Sequence, residues 1–325
     1  MTVAAVIPHW NRRDLLAALL ANLKLQTRPF DQVIVADNGS TDDSADMAEK
    51  AGARVLRLGT NRGFSAAVNR GTAAASADWI AILNNDITLD PDWLQTLLAA
   101  SAHQDTWFAT GKIMSTATPS VNQVTIDATF DEISRGACSW RCGAGMLDAP
   151  TWNQPRPIRI APMTAALFRR QLFDDIGPLD EQFESYLEDA DFGLRCCIAD
   201  RRGVYVPDAR AFHVGSATWG KWNKDTVRLI SRNQVLLARK HFGGQSLWPL
   251  VAGQLLWGLV AFRHLRGFSY VRGKLEGLSA PVSRMGQPPS LVRAVLEESE
   301  RIIFDLQQQA GFDLYWRAYF WLVPR

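Results

Sequence analysis

The sequence has little of what secreted or nucleic-acid-binding proteins usually carry. Its 325 residues include four cysteines, and the formal net charge is +2. We interpret the cysteines as reduced thiols of a cytosolic protein, and so small a net charge gives no general attraction for nucleic acid. The first apolar stretch, residues 3–7, is too short for a secretory signal and is followed by Pro8. A cytoplasmic location is therefore predicted.

A zinc-finger pattern is also missing. Cys138 and Cys142 have a C-x3-C spacing that could begin a metal site. No second Cys/His pair at zinc-finger spacing follows them, so we expect no structural zinc.

Long apolar runs are absent as well. The longest candidate, residues 247–262, is interrupted by Pro249, Gly253, Gln254 and Gly258. A spanning helix needs about 20 predominantly apolar residues, so this segment is too short to cross a membrane.

Basic residues are concentrated near the C-terminus. Residues 245–325 contain nine Lys/Arg and six Asp/Glu, whereas the rest of the chain contains 26 and 27. Arg263, His264, Arg266, Arg272 and Lys274 follow the apolar run with no acid between them. Two interpretations remain open: helices that pack on the preceding part of the chain, or amphipathic helices that dock on an anionic membrane surface.

Strands and helices alternate through the first hundred residues. Apolar runs predict strands at residues 3–7, 33–36, 55–58 and 79–83. Leucines at helical spacing follow the first strand, with Asn11 as the expected helix cap. This alternation predicts an α/β fold with a mixed, mainly parallel sheet and helices on both faces, plus a C-terminal helical extension.

Polar loops follow each of the first four predicted strands. They are residues 8–11, 37–40, 61–64 and 84–86. Ligands of such sheets bind beyond the carboxyl ends of the strands, so these loops predict a nucleotide-sized pocket at one edge. Residues 115–160 are predicted to be an irregular excursion over this site, with a hairpin as one form.

An ordered set of motifs now supports a family assignment. The motifs are Val6-Ile-Pro-His-Trp-Asn11, Val35-Ala-Asp-Asn-Gly-Ser-Thr-Asp42, Asn61-Arg-Gly-Phe, Asn84-Asn-Asp, Gly177-Pro-Leu-Asp180 and Glu188-Asp-Ala-Asp191. Together they resemble family 2 glycosyltransferases, inverting enzymes of the GT-A fold, over roughly residues 3–242. Among these the chain looks most like bacterial rhamnosyltransferase-type enzymes of surface-polysaccharide assembly.

The resemblance implies a set of residues around a nucleotide-sugar donor. In it, Asp37 accepts a hydrogen bond from the base, and Arg232 contacts phosphate, for which an arginine is well suited. The alternative for Arg232 is a surface salt bridge. The full set implied is Pro8, Asn11, Asp37, Asn61, Arg62, Gly63, Asn85 and Arg232.

The resemblance also implies a divalent metal, Mg²⁺ or Mn²⁺. Asn84 takes the first position of the acidic motif, so Asp86 is the expected carboxylate ligand, with His213 beside it. Such an ion would stabilise the charge of the leaving nucleoside diphosphate. The alternatives are a strand-end turn or cap for Asp86 and a structural role for His213.

Asp189 is the predicted general base. An acceptor hydroxyl is a weak nucleophile at neutral pH, so a carboxylate must remove its proton. Glu188 is expected to hold or tune Asp189, and Asp191 to serve the helix start. The alternative is a solvated acidic helix terminus, which such runs usually form.

These predictions define a two-domain enzyme: a GT-A catalytic domain at residues 1–242 and a helical region at residues 243–325. The predicted reaction transfers a sugar, with dTDP-rhamnose favoured as donor, to a saccharide or lipid-linked acceptor at the inner face of the cell membrane. A sugar nucleotidyltransferase would usually have a Gly-rich loop after the first strand, and residues 8–13 contain no glycine. A non-catalytic scaffold would be expected to lose Asp86 or Asp189.

Overall fold

The computed structural model describes residues 1–116, 124–215 and 222–324. They form two compact units. The first unit is Met1–Phe130 with Gly143–Gly215, and the second is the described part of Asp131–Cys142 with Ser216–Arg325. The helix at Lys224–His241 lies in the second unit. These units are not the two predicted domains. The predicted domain boundary between residues 242 and 243 stays a prediction.

Twelve strands and eleven α-helices make up the described chain. The strands are β1 (Val3–His9), β2 (Gln32–Asp37), β3 (Arg54–Arg57), β4 (Trp79–Leu83), β5 (Ile87–Leu89), β6 (Thr106–Ser115), β7 (Ile126–Ala128), β8 (Asp131–Ile133), β9 (Ser139–Arg141), β10 (Arg156–Ile158), β11 (Ala165–Arg169) and β12 (Arg202–His213). The helices are α1 (Arg13–Leu23), α2 (Ser44–Lys50), α3 (Phe64–Ala74), α4 (Trp93–Ala100), α5 (Gln171–Asp175), α6 (Glu188–Ile198), α7 (Lys224–His241), α8 (Leu247–Arg263), α9 (Gly267–Ser279), α10 (Pro289–Ala310) and α11 (Leu314–Leu322).

The first unit is built on a ten-stranded mixed sheet. Eight strands follow the order β10-β12-β6-β11-β4-β1-β2-β3, and the other two are β5, which pairs with β12, and β7, which pairs with β6. Strands β3, β2, β1 and β4 are parallel neighbours. Strand β11 runs antiparallel to both β4 and β6, and β12 runs parallel to β6. The predicted mixed, mainly parallel sheet is confirmed, and so are its first four strands.

The central strands form because they are apolar on both sides. Every residue of β1 and β4 is buried, as expected of parallel strands with helices on both faces. Helix α1 adds Leu16, Leu19, Leu20 and Leu23 to this core. The expected cap at Asn11 was wrong, because α1 begins after a left-handed Arg12 and has no side-chain cap.

The predicted irregular excursion contains several short strands. In the first unit, β7 pairs with β6 and β10 pairs with β12. In the second unit, β8 and β9 form an antiparallel hairpin. Residues 117–123 of this predicted segment lie outside the described residues.

Helices α7 to α11 form most of the second unit. Helix α9 packs very closely on α7, because a Cβ added at Gly273 would lie 2.2 Å from the carbonyl oxygen of Arg228. Polar groups fill part of this interior. The Lys274 ammonium donates to the Ser231 carbonyl at 3.0 Å and to the Gln234 side chain at 2.7 Å. Burial lowers the pKa of Lys274 to about 7.

The remaining helices of this unit are α8, α10 and the aromatic-rich α11. Within the described ranges, no helix combines the length and the apolarity that crossing a membrane requires.

Candidate active site

The carboxyl ends of β1 and β2 meet because the strands are parallel and in register, with His9 opposite Asp37. Both side chains are buried. Asn85 donates its amide to Nδ1 of His9 at 2.8 Å, so a neutral His9 carries its proton on Nε2. Burial lowers the pKa of His9 to about 4, despite the nearby Asp37 and Asp42. Among the described residues, Nε2 finds no hydrogen-bond partner.

The loop after β2 is held by polar contacts to the loop after β1. The Ser40 amide donates to both carboxylate oxygens of Asp37 at 3.3 Å. The side-chain oxygen of Asn11 accepts from the backbone amide of Thr41 at 3.0 Å. The backbone amide of Asn11 donates to the Ser40 hydroxyl at 2.8 Å. Pro8 is buried in β1 opposite Ala36. The predicted base-side residues therefore form one connected rim.

Asn38 connects this rim to the third loop. Its side chain donates to the Gly63 carbonyl at 2.8 Å and accepts from the Arg62 amide at 3.1 Å. Asn61 accepts from the Gly63 amide at 3.0 Å. Gly63 has a φ of 87°, and a Cβ there would lie 2.8 Å from the Glu184 Cα. Only glycine therefore allows this loop to approach the segment before α6 so closely.

Four strands bring Asp86, His213 and Asp127 together. Asp86 precedes β5, which pairs with the end of β12 so that His213 lies opposite Ile87. Strand β6 lies beside β12, and β7 pairs with β6 through a register shift at Ile113/Met114. The imidazole then spans two carboxylates, with Nε2 3.1 Å from Asp86 and Nδ1 2.9 Å from Asp127.

Two carboxylates, those of Asp86 and Asp127, flank the imidazole of His213. Burial acts to lower the pKa of His213, but the hydrogen bonds to Asp127 and Asp86 outweigh it and raise the pKa to about 9. The imidazole is therefore protonated at neutral pH when no cation is bound, and a metal ion would have to displace that proton.

The donor set, one carboxylate oxygen and one imidazole nitrogen, fits a divalent transition-metal ion such as Mn²⁺. Adjacent ligands of an octahedral ion at about 2.1 Å lie about 3.0 Å apart, close to the 3.1 Å between His213 Nε2 and Asp86 Oδ1. Asp127 is on the other ring nitrogen, where carboxylates orient metal-bound histidines. Among the described residues, no three His, Cys, Asp or Glu side chains converge on one point. Remaining coordination positions would thus be left to phosphate oxygens and water.

The acidic segment opens α6 as predicted. Glu188 is buried and Asp189 is half-buried, in the first turn of the helix. One Asp189 oxygen accepts from the Ala190 amide at 2.8 Å. The segment before it is strained, since Glu184, Tyr186 and Leu187 all have positive φ values of 59–72°. Such conformations persist where the surroundings enforce them, often at active sites.

Arg195 supports this helix from inside. It is 7% exposed, and its Nε donates to Asp191 at 3.1 Å. Its other nitrogens donate to the carbonyls of Ile176, Gly177 and Pro178. Asp191 thus belongs to the first turn, as predicted, and it pairs with Arg195, which holds the Gly177-Pro-Leu-Asp180 motif against α6.

Arg232 lies on α7 in the second unit, with its guanidinium 3.5 Å from the Asn233 side chain. Its predicted phosphate contact stays a prediction. Trp222 stacks on His264 at a centroid distance of 3.7 Å, which is a packing role within the second unit. Trp219 lies outside the described residues.

Three residues of the site were missed in the sequence. Asp127 lies in a segment with no periodicity, so no local pattern marks it. His9 was quoted within its motif and given no role, although its place at a strand end was a usable signal. Arg195 follows Asp191 by four residues on a predicted helix, and this spacing favours an ion pair.

Comparison with known proteins agrees with this geometry. Residues 4–177 match the family model described as glycosyl transferase family 2. This match covers more than half of the chain, so the chain belongs to glycosyl transferase family 2, and it is a glycosyltransferase.

Relatives of known name extend this result. The chain is 28% identical, over 263 residues, to an N-acetylglucosaminyl-diphospho-decaprenol L-rhamnosyltransferase of Mycobacterium tuberculosis, covering 73% of this chain and 82% of that protein. It is also 28% identical, over 225 residues, to the O-antigen biosynthesis protein RfbC of Myxococcus xanthus, covering 66% of this chain and 17% of the relative.

Solved structures show the same fold. GalNAc-T7, with UDP, GalNAc and Mn²⁺, superposes with a TM-score of 0.68 at 12% identity, covering 96% of this chain and 58% of that one. The mannosyltransferase PcManGT from Pyrobaculum calidifontis, with GDP-Man and Mn²⁺, gives 0.53 at 14% identity, covering 98% and 85%. This chain spans less than two thirds of the first of these two structures.

Proposed function

We propose that this chain is an inverting, metal-dependent rhamnosyltransferase. It transfers rhamnose from a nucleotide-diphosphate donor, with dTDP-rhamnose favoured, to a hydroxyl of a lipid-linked saccharide in cell-surface polysaccharide assembly. The named Mycobacterium tuberculosis relative supports both the sugar and the class of acceptor. Such an acceptor would have the chain working at the cytoplasmic face of the cell membrane.

The observation that carries the metal dependence is the contact between Asp86 and His213. These residues are 127 positions apart, and the sheet places their side chains 3.1 Å from each other. A carboxylate oxygen and an imidazole nitrogen are ligands that suit Mn²⁺, and Mg²⁺ accepts the carboxylate. When bound, the ion would stabilise negative charge on the leaving diphosphate. Asp127 would hold the His213 ring so that Nε2 faces the ion.

Asp189 would act as the base. It takes the proton of the acceptor hydroxyl while the hydroxyl oxygen forms a bond to the anomeric carbon of the donor sugar. The bond between that carbon and the diphosphate oxygen breaks in the same step. The nucleoside diphosphate leaves from the opposite face, and the anomeric configuration inverts. Glu188 directly precedes Asp189 in the sequence, and its side chain is buried. It would limit the movement of Asp189. Arg195 and Asp191 would fix the helix that carries both.

The nucleotide would bind at the connected rim of the first unit. Asp37 would accept from the base, and the buried Nε2 of His9 would offer a donor that has no protein partner among the described residues. Asn11 and Pro8 shape one side of this rim. Asn61, Arg62 and Gly63 shape the other, and Asn85 is held by His9.

The decisive experiment is a donor panel. The full chain is incubated with UDP-, GDP- and dTDP-linked sugars and a lipid-linked N-acetylglucosamine diphosphate acceptor, with Mg²⁺, Mn²⁺ or a chelator. We expect release of dTDP from dTDP-rhamnose with either metal and none with chelator. Full activity in chelator would overturn the metal dependence. Release from a different donor alone would overturn the rhamnose assignment.

A further inference from the structure

Helices α8 and α9 have their large apolar side chains on the outside. On α8 the exposed residues include Leu255, Leu259 and Phe262, and on α9 they include Phe268, Val271 and Leu275. Leu259 is 66% exposed and Phe268 is 83% exposed. Spacings of three and four residues place each set on one side of its helix. We call these six residues the docking face.

The opposite sides of the same helices carry small residues. Buried positions of α8 and α9 include Ala252, Gly253, Gly273 and Gly277. A Cβ at Gly277 would lie 2.6 Å from the Arg232 carbonyl oxygen, so α9 meets α7 backbone to backbone. Large residues outside and small residues inside is the reverse of a water-facing amphipathic helix. It is the arrangement that helices use when their outer side meets lipid.

The segment of the chain that carries the docking face is basic. No acidic residue occurs between Asp225 and Glu276. Arg263 and His264 are exposed at the turn between α8 and α9, next to Phe262. Glu276 is paired with Arg228 at 2.6 Å and with Arg272 at 2.8 Å, which neutralises it. An apolar surface bordered by cations matches a bilayer with anionic headgroups, whereas a second copy of this chain would bring like charges together.

The helices are suited to lie in the interface. Helix α8 has 17 residues and α9 has 13. Neither is able to span a bilayer, since a spanning helix needs about 20 predominantly apolar residues. Helix α11 adds Trp321, which is 80% exposed in the same unit, and tryptophan is enriched at the membrane–water boundary.

We propose that the docking face inserts into the headgroup region of an anionic lipid bilayer, with α8 and α9 lying in the membrane plane. The lipid-linked acceptor of the proposed function gives this docking its purpose, and the inference rests on that function to this extent. The binding itself needs no catalysis, so the two are tested separately.

The test uses the full chain and lipid vesicles. Cosedimentation is measured with phosphatidylcholine vesicles and with vesicles of equal parts phosphatidylcholine and phosphatidylglycerol. The variant Leu259→Glu/Phe268→Glu places one carboxylate on each helix of the docking face. The control, Leu25→Glu/Leu147→Glu, makes the same charge change at two exposed apolar positions of the first unit.

We expect the wild type and the control to bind anionic vesicles more strongly than neutral ones. The docking-face variant should bind anionic vesicles at least about tenfold more weakly, because two large side chains no longer leave water. Wild-type protein that does not sediment with anionic vesicles would overturn the proposal, and so would a variant that binds like the wild type. An equal loss in the control would also overturn it.

Two further measurements separate the alternatives. Sedimentation velocity without lipid tests whether a second copy of the chain covers the docking face. If the wild type is a dimer that does not bind vesicles, and the docking-face variant is a monomer, the partner is a second copy and the membrane proposal is overturned. Transfer to a water-soluble acceptor analogue tests the enzyme. We expect equal rates for all three proteins, since the changed residues are exposed. Vesicle binding without transfer in any of them would count against the proposed function alone.

Discussion

The first unit buries its large apolar side chains and gathers polar ones at one edge of a sheet, whereas α8 and α9 of the second unit bury glycine and alanine and expose leucine and phenylalanine. In β1 and β4 every residue is buried, and the polar groups follow where the strands end. In α9 the buried positions are Gly267, Gly273 and Gly277. The contrast shows that burial of large apolar groups is not how every part of this chain reaches its fold.

Polar groups also differ in purpose between the two regions. In the first unit, His9 Nε2 has no partner among the described residues, and His213 stands between two carboxylates. In the second unit, the Glu300 carboxylate accepts from the Arg135 side chain at 2.7 Å and from the Tyr319 hydroxyl at 2.6 Å. Partnered polar groups of this kind join the β8–β9 hairpin to α10 and α11, while the strand-end groups remain suited to bind a ligand.

Changing Asp189 gives the strongest test that the polar edge performs chemistry. Asp189→Asn keeps the size of the side chain and removes the proton acceptor. We expect the transfer rate to fall by about 10²–10⁴-fold, with donor affinity unchanged by calorimetry. Asp200→Asn, just beyond the same helix, is the control and should behave like the wild type. Near-normal turnover of Asp189→Asn would remove Asp189 as the base.

Asp86→Ala tests the ligand role at the other strand end. We expect Mn²⁺-dependent donor binding, measured by calorimetry, to weaken by more than about a hundredfold, because even second-shell changes at metal sites cost 10–100-fold. Asp92→Ala changes an exposed carboxylate directly before α4 and should leave the affinity as it is. Unchanged donor affinity of Asp86→Ala with Mn²⁺ would exclude Asp86 as a ligand.

Arg195→Met sharpens the distinction between buried and exposed ion pairs in the first unit. It removes the guanidinium that pairs with the fully buried Asp191, and the free energy of unfolding should fall by about 3–5 kcal/mol. Arg202→Met breaks an exposed pair with Asp200, which should cost about 0–1 kcal/mol. Urea denaturation measures both. Equal effects of the two changes would argue against a supporting role for Arg195.

Asp127→Asn separates the orienting carboxylate from the ligand. The variant keeps an acceptor beside His213 Nδ1 and loses the negative charge. We expect Mn²⁺ affinity, followed by electron paramagnetic resonance without substrate, to fall by about 10–100-fold, less than for Asp86→Ala. A loss as large as that of Asp86→Ala would make Asp127 a ligand instead, and no loss would make it structural.

The smallest expected effect is the contribution of His9 to the stability of the folded chain in acid. Its pKa is about 4 in the folded chain and near 6.5 when unfolded, so between these values the unfolded chain binds the extra proton and stability falls as the pH falls. From pH 7 to pH 5 this removes about 1–2 kcal/mol. His9→Gln should lose less stability over this interval in urea denaturation. An identical pH dependence would show that His9 is not buried in a neutral form.

Strand ends carried most of what was predictable about the site. The apolar runs before Asp37 and Asp86 have the length and composition of buried strands, and parallel strands bring their carboxyl ends to one edge. The position of Asp189 at the start of α6 was predictable because an acidic run suits the first turn of a helix, whereas its role as the base was implied by the family resemblance. These signals are local, so they survive without knowledge of the rest of the chain.

Asp127 was not predictable, because its place depends on the β7–β6 register shift and on the β12 neighbour of β6. The Asn11 cap was wrong for a related reason. Its side chain accepts from Thr41, thirty residues away, in preference to the nearby helix terminus. The outward apolar faces of α8 and α9 were also hidden in the sequence, since periodicity marks two sides of a helix and does not say which one packs.

The sequence by itself determined the mixed, mainly parallel sheet and the polar residues at the strand ends, because these follow from local patterns of burial and turn formation. The family was recognised by a different route, through the resemblance of an ordered set of motifs. Only the tertiary structure decided that His213 lies between Asp86 and Asp127, and that α8 and α9 turn their large side chains outward. Each of these depends on strand register or on which backbones approach closely. Such contacts join residues far apart in the chain, where local propensity carries no information.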